Sequence, residues 1–135
     1  MRGFALLLVG ASLASCAGAP QPGRSAKAEA HFQKLLAGKV AGQPLSCLPS
    51  YRQTDMVVID DQTIAFRDGS RRVWVTNLRN SCSNLGSGHY ALVTKQFGGS
   101  GVCRGDIAEV ADLTSGITVG SCVFGDFTPY MKPHG

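Results

Sequence analysis

Apolar residues follow three successive patterns along the chain. Residues 5–13 form a continuous run of apolar and small side chains without periodicity. From Ser25 the spacing becomes helical: Ala28, Phe32, Leu35 and Leu36 recur on one stripe, Ser25 is placed to cap the start and Gly38 to end it. This predicts an amphipathic helix over 25–37 that lays its stripe on the domain's own core, a reading favoured over a partner-binding or membrane-surface role. After Gly42-Gln43-Pro44 the period drops to that of strands. β-prone runs at 56–59 and 63–66 flank Asp60-Asp61-Gln62, and the run at 71–77 alternates Val73 and Val75 with Trp74 and Thr76. Asp68-Gly69 between the second and third runs predicts a tight hairpin, because its turn requires positive backbone dihedrals.

Further runs at 90–94, 106–111 and 117–124 are punctuated by Gly86-Ser87-Gly88, Gly98-Gly99-Ser100-Gly101 and Ser115-Gly116. The expected fold is mainly β: a small disulfide-stabilised antiparallel barrel or sandwich of about six strands with one N-terminal amphipathic helix. Its β-part extends over about 43–130. The 17 glycines alternate with Val, Ile, Leu and aromatic residues, which favours turns in a folded domain over disorder. No internal repeat is evident.

The N-terminal run carries Arg2 before it and small residues and a cysteine after it, the three-part arrangement of a signal peptide. It is shorter than the roughly 20 apolar residues that span a bilayer. Leu13-Ala14-Ser15-Cys16 resembles the lipobox of bacterial lipoproteins. The resemblance implies removal of residues 1–15, acylation of Cys16 as the new first residue, and the lipid bilayer as a partner through that group. Several acyl chains hold a protein where one binds only reversibly. Position 17 is Ala where an Asp usually retains such proteins at the inner membrane, so the outer membrane is the expected site, with the domain in the periplasm. The Ala/Gly/Pro/Gln stretch at 17–24 reads as a tether, and residues 25–135 as a single domain.

Charge adds little: the 135 residues hold 13 basic and 9 acidic side chains, a net charge of +4 that is too mild and too dispersed for a nucleic-acid partner. The cysteines add more. Beyond Cys16 there remain Cys47, Cys82, Cys103 and Cys122, an even number that reads as two disulfides in an oxidising compartment. Three connectivities are open, of which a nested arrangement, Cys82 with Cys103 inside Cys47 with Cys122, is favoured here. A metal site is disfavoured, since the spacings of 35, 21 and 19 residues contain no close ligand pair.

Catalytic signatures are missing: there is no Gly-x-Ser-x-Gly elbow, no His-Glu-x-x-His and no phosphate-cradling loop. No cofactor and no catalytic residue is implied. His89, after a Gly-Ser-Gly turn, is the one histidine placed to join a loop site, and a small hydrolase using it with a nearby aspartate is an alternative reading. Asp60, Asp61 and Asp126 read as turn and capping residues. Arg67, Arg71, Arg72 and Arg79 concentrate around the central hairpin beside Trp74 and Tyr51, a composition typical of binding hot spots. This is the candidate binding face for an envelope protein or glycan, weighed against a charged sheet edge that merely resists aggregation.

Cys47-Leu48-Pro49, the stretch Val58-Ile59-Asp60-Asp61-Gln62-Thr63-Ile64, Cys82 with Leu85, Cys103 with Asp106-Ile107, and Gly120-Ser121-Cys122-Val123-Phe124-Gly125-Asp126-Phe127 together resemble a family of small exported four-cysteine proteins of Gram-negative bacteria, designated only as a domain of unknown function, DUF6491. That resemblance implies a fold unit and no activity. Relatives often carry Pro-Gly where this chain has Ser83-Asn84. A weaker resemblance, Ser87-Gly88-His89-Tyr90 followed by Val93-Thr94-Lys95, is to periplasmic lipoprotein inhibitors of lysozyme, and implies inhibition of a lysozyme-like hydrolase. The leading expectation is a membrane-anchored envelope lipoprotein carrying a non-enzymatic binding or structural module.

Overall fold

The computed structural model describes residues 23–53, 55–95 and 101–134. The signal peptide, the lipobox with Cys16, the tether up to residue 22 and the turn at 98–100 lie outside the described residues.

Helix α1 (Ala26–Leu36) begins where the cap predicts, with Ser25 Oγ accepting from the Ala28 N–H at 3.2 Å. It stops before Gly38, whose φ of 69° belongs to the left-handed region. Among the described residues ten strands follow: β1 (Val40–Ala41), β2 (Cys47–Pro49), β3 (Met56–Asp60), β4 (Thr63–Asp68), β5 (Arg72–Asn77), β6 (Tyr90–Thr94), β7 (Gly101–Cys103), β8 (Ile107–Asp112), β9 (Thr118–Val123) and β10 (Phe127–Met131). All pairings are antiparallel, in sheets ordered β1-β10-β5-β4-β3, β2-β7 and β6-β8-β9. The sheets do not close into a barrel and pack as a sandwich.

The five-stranded sheet is covered on both faces. Ala65, Val73 and Val75 meet Phe32, Leu35 and Leu36 of α1, while Ile64, Phe66, Trp74 and Phe127 face the other sheets across the main core. Leu48 and Val102 from the two-stranded sheet and Ala108, Val110 and Cys122 from the three-stranded sheet complete that core. Residues 63–66 and 73–76 are therefore buried without interruption, as central strands covered on both sides must be. In the hairpin the turn is Gly69-Ser70-Arg71, with Gly69 at φ 64° and Asp68 opposite Arg72.

The strands beyond the expected six are β1, β2, β7 and β10. β10 contains Pro129, ordinarily a sign against an interior strand. It is accommodated at the end of the β1 ladder: the Pro129 carbonyl accepts from Gly42 N–H, and the proline forgoes only the return bond at that last position. β2 and β7 are only three residues each, too short to leave a periodic trace.

The nested disulfide arrangement is corrected. The bridges are Cys47–Cys103 and Cys82–Cys122, interleaved in sequence. Cys47 and Cys103 are direct partners across β2 and β7, a pairing invisible until those strands are known. Cys82, in the loop after β5, then meets Cys122 of β9, and both are 1% exposed within the main core. Two such bridges mark a domain of an oxidising compartment, extracellular or periplasmic. Among the described residues no helix is long and apolar enough to cross a membrane.

Candidate functional site

The arginines that cluster in sequence part in space, because successive positions of β4 and β5 point to opposite faces. Arg67 lies on the helix side of the sheet and pairs with Asp55 at 2.8 Å. Arg71 is exposed in the hairpin turn. Arg79 lies past the opposite end of β5, its N–H donating to Val123. Arg72 alone stays with Trp74, on the sandwich side.

Trp74 is 3% exposed and belongs to the main core. What approaches its indole is Arg72, with the guanidinium 5.8 Å from the ring centroid, and Arg52, at 5.1 Å. Arg52 ends the 3₁₀ turn Ser50–Arg52 after β2 and also stacks on Tyr51 at 5.4 Å. Tyr51 is 71% exposed, so the cluster runs from the core to solvent. Asp68 binds Arg72 Nη1 at 3.2 Å and lies 3.9 Å from Arg52 Nε. Trp74 Nε1, Arg52 Nε and Arg72 Nε are all buried and find no hydrogen-bond partner within the described protein. Unsatisfied buried donors each cost about 1–3 kcal/mol, so three gathered around one indole ring are unusual unless an acceptor arrives from outside. Arg52 was not anticipated; its signal was the sequence Tyr51-Arg52, an aromatic beside a planar cation.

A concave region of about 670 Å3 lies elsewhere, at the β3–β4 turn between Arg24, Asp60, Asp61, Gln62, Asn77 and Ser81. Arg24, at the end of the expected tether, is fixed there with its side chain 8% exposed. Its Nε binds Asp60 at 2.6 Å, Nη1 binds Glu29 at 3.0 Å, Nη2 donates to Thr63 Oγ1 at 2.7 Å, and the guanidinium lies 4.5 Å over the Phe32 ring. Burial alone disfavours its charge, but the bonds to Asp60 and Glu29 outweigh that and raise its pKa above the ordinary value. Hydrogen bonds from Gln33 and then Arg24 hold the Glu29 carboxyl below its usual range. No residue of α1 is itself fully buried, and this clamp adds to the packing of Phe32, Leu35 and Leu36 in holding the helix on the sheet. Replacing Arg24 with Met should cost about 2 kcal/mol, since Asp60 keeps its partial burial and loses its partner. Helical ellipticity should then melt below the transition of Trp74 fluorescence; coincident transitions would show that the clamp is dispensable.

His89 is exposed and follows the 3₁₀ turn Leu85–Ser87, with Asn84 and Gly88 in left-handed conformations. Its carbonyl accepts from Leu113 N–H. The nearby Asp112 carboxylate is engaged in its own turn, with Oδ1 accepting from Thr114 and Ser115 N–H at 2.7 and 2.8 Å. The bonds from Ser115 and Thr114 chiefly hold its pKa down. His89 adds the smallest of the effects that lower it. Among the described residues no group of three His, Cys, Asp or Glu side chains gathers as a metal site.

Compared with models of protein families, with curated proteins and with solved structures, the chain matches none of them.

Proposed function

We propose that the chain is a lipoprotein of the bacterial envelope, acylated at Cys16 and sorted to the outer membrane, whose domain is a non-enzymatic module binding an anionic ligand. The family of exported four-cysteine proteins named above is its proposed relative. The lipobox Leu13-Ala14-Ser15-Cys16 and the two disulfides support the location. The observation that carries the binding reading is the trio of buried, unpartnered donors on Arg52, Arg72 and Trp74 at the rim of the sandwich. Guanidinium groups take planar acceptors such as carboxylates in paired hydrogen bonds, and a stacked guanidinium is already oriented for it. A carboxylate-bearing glycan or peptide of the envelope fits that chemistry.

Trp74 is the single tryptophan of the chain and reports on the site directly. Titrating the chain from position 16 onward with oligogalacturonate and with oligoglutamate should change its fluorescence saturably with at least one of them. Arg52→Ala and Arg72→Ala should each weaken that binding about tenfold or more, since hydrogen bonds to charged groups contribute roughly 1.5–3 kcal/mol. A flat titration with both acids, or undiminished binding in the double variant, would refute the site.

The exposed loop of Gly86, Ser87, Gly88 and His89 favours one second reading, inhibition of a lysozyme-like hydrolase by insertion of that loop. Full lysozyme turnover in the presence of excess domain would exclude it.

A further inference from the structure

Lys27, His31 and Lys34 fall at positions i, i+4 and i+7 of α1, on the exposed side away from Phe32 and Leu36. The stripe continues beyond the helix. His31, Lys34, Lys39, Arg67, Gly69 and Ser70 line a cavity of about 410 Å3 between the helix and the β4–β5 turn, and the exposed Arg71 follows in that turn. Two carboxylates lie near this surface and both are engaged: Asp55 with Arg67, and Asp68 with Arg72. Glu29 faces the other way, toward Arg24. Lys39 donates to the Leu35 carbonyl at 2.8 Å, which fixes its ammonium at the cavity wall. The result is a continuous cationic surface with a recess wide enough for a phosphate group.

The chain's path says what that surface meets. Arg24 is pinned two residues before the helix, and the eight residues back to Cys16 can span no more than about 30 Å. If Cys16 is held in a bilayer, as proposed above, α1 is the element kept nearest to the headgroups. The geometry points to a docking surface for the net-anionic phospholipid headgroups of the bilayer that holds the anchor, with Lys27, Lys34, Lys39 and Arg71 as its uncompensated charges and the His31–Ser70 recess seating one phosphate. Anchoring by acyl chains and docking by charge are then two signals acting on one surface.

The test uses the whole chain from position 16 with Cys16→Ser, so that no acyl group contributes, and circular dichroism to verify folding. It is sedimented with vesicles of phosphatidylcholine alone and with about one third phosphatidylglycerol, at low and high salt. Expected is binding to the anionic vesicles only, lost at high salt. Lys27→Gln with Lys34→Gln should reduce it about 25-fold, at about fivefold per basic residue near an anionic surface. Arg104→Gln, which removes a charge from the Asp126 ion pair after β7, should leave binding within about twofold. Equal binding to both vesicles, or an equal loss with Arg104→Gln, would overturn the surface. Release by inorganic phosphate at matched ionic strength would reassign the recess to a free anion. Failure here leaves acylation of Cys16 untouched, and an unacylated Cys16 in the native protein would leave this measurement standing.

Discussion

Gly101→Ala should destabilise the domain by about 3 kcal/mol or more, the largest effect expected from one added methyl group. Gly101 opens β7 directly opposite Pro49, with φ at 133°, which L side chains rarely adopt. A Cβ there would occupy the space of the Leu48 carbonyl oxygen, a backbone atom that cannot swing aside. Leu48 is fully buried and Cys47 is tied to Cys103, so neither strand of the pair can retreat without opening the main core. Gly125→Ala meets the Asn77 carbonyl in the same way. Gly120, in β9, has open space where its Cβ would be, and Gly120→Ala should stay within about 1 kcal/mol of the parent. Urea unfolding followed by Trp74 fluorescence measures all three; similar midpoints for Gly101→Ala and Gly120→Ala would show that the close approach at Leu48 is relieved at little cost.

Loss of the Cys82–Cys122 bridge is the second large effect. The bridge closes a separation of 40 residues, for which unfolded-chain entropy alone gives about 4 kcal/mol. That is a large fraction of the 5–15 kcal/mol that usually holds a domain of this size, and corresponds to a fall of roughly 20 °C in Tm. Cys82→Ala with Cys122→Ala should show it in a thermal scan under non-reducing conditions. Because both sulfurs are buried, whereas Cys47 is exposed, mild reductant should open Cys47–Cys103 first. Simultaneous opening of both bridges with global unfolding would mean that the surface bridge is no more accessible than the core one.

The readable parts of the chain were those where local chemistry and tertiary packing agree. Ser25, Phe32, Leu35, Leu36 and Gly38 define α1 by cap, stripe and stop, and α1 uses each of them as expected. Tyr90–Thr94 is a strand at the predicted bounds. Pairings that depend on distant residues were not readable. Pro129 conceals β10, and the tolerance for it comes from where β1 ends. The Cys47–Cys103 bridge depends on two strands of three residues each. Arg24 reads as the end of a tether, because its partners Asp60 and Thr63 lie 36 and 39 residues further along.

The candidate site divides in the same manner. Arg72 and Trp74 were singled out by composition and do come together, and Tyr51 joins them only through Arg52. Arg67, Arg71 and Arg79 were grouped with them by proximity in sequence, but strand alternation and the length of β5 distribute them to other surfaces. Arg52 enters only through the turn that folds Ser50–Arg52 over β4 and β7. Trp74 functions as a buried floor for two guanidiniums, a role that periodicity cannot distinguish from an outward-facing aromatic.

The most direct test of an acylated, disulfide-bonded envelope module is the mass of the native protein, purified from its own membrane without reductant and digested. Expected is an N-terminal peptide beginning at Cys16 and carrying acyl groups, together with two linked peptides joining Cys47 to Cys103 and Cys82 to Cys122. An N-terminus elsewhere with an unmodified Cys16, or four free thiols, would contradict it.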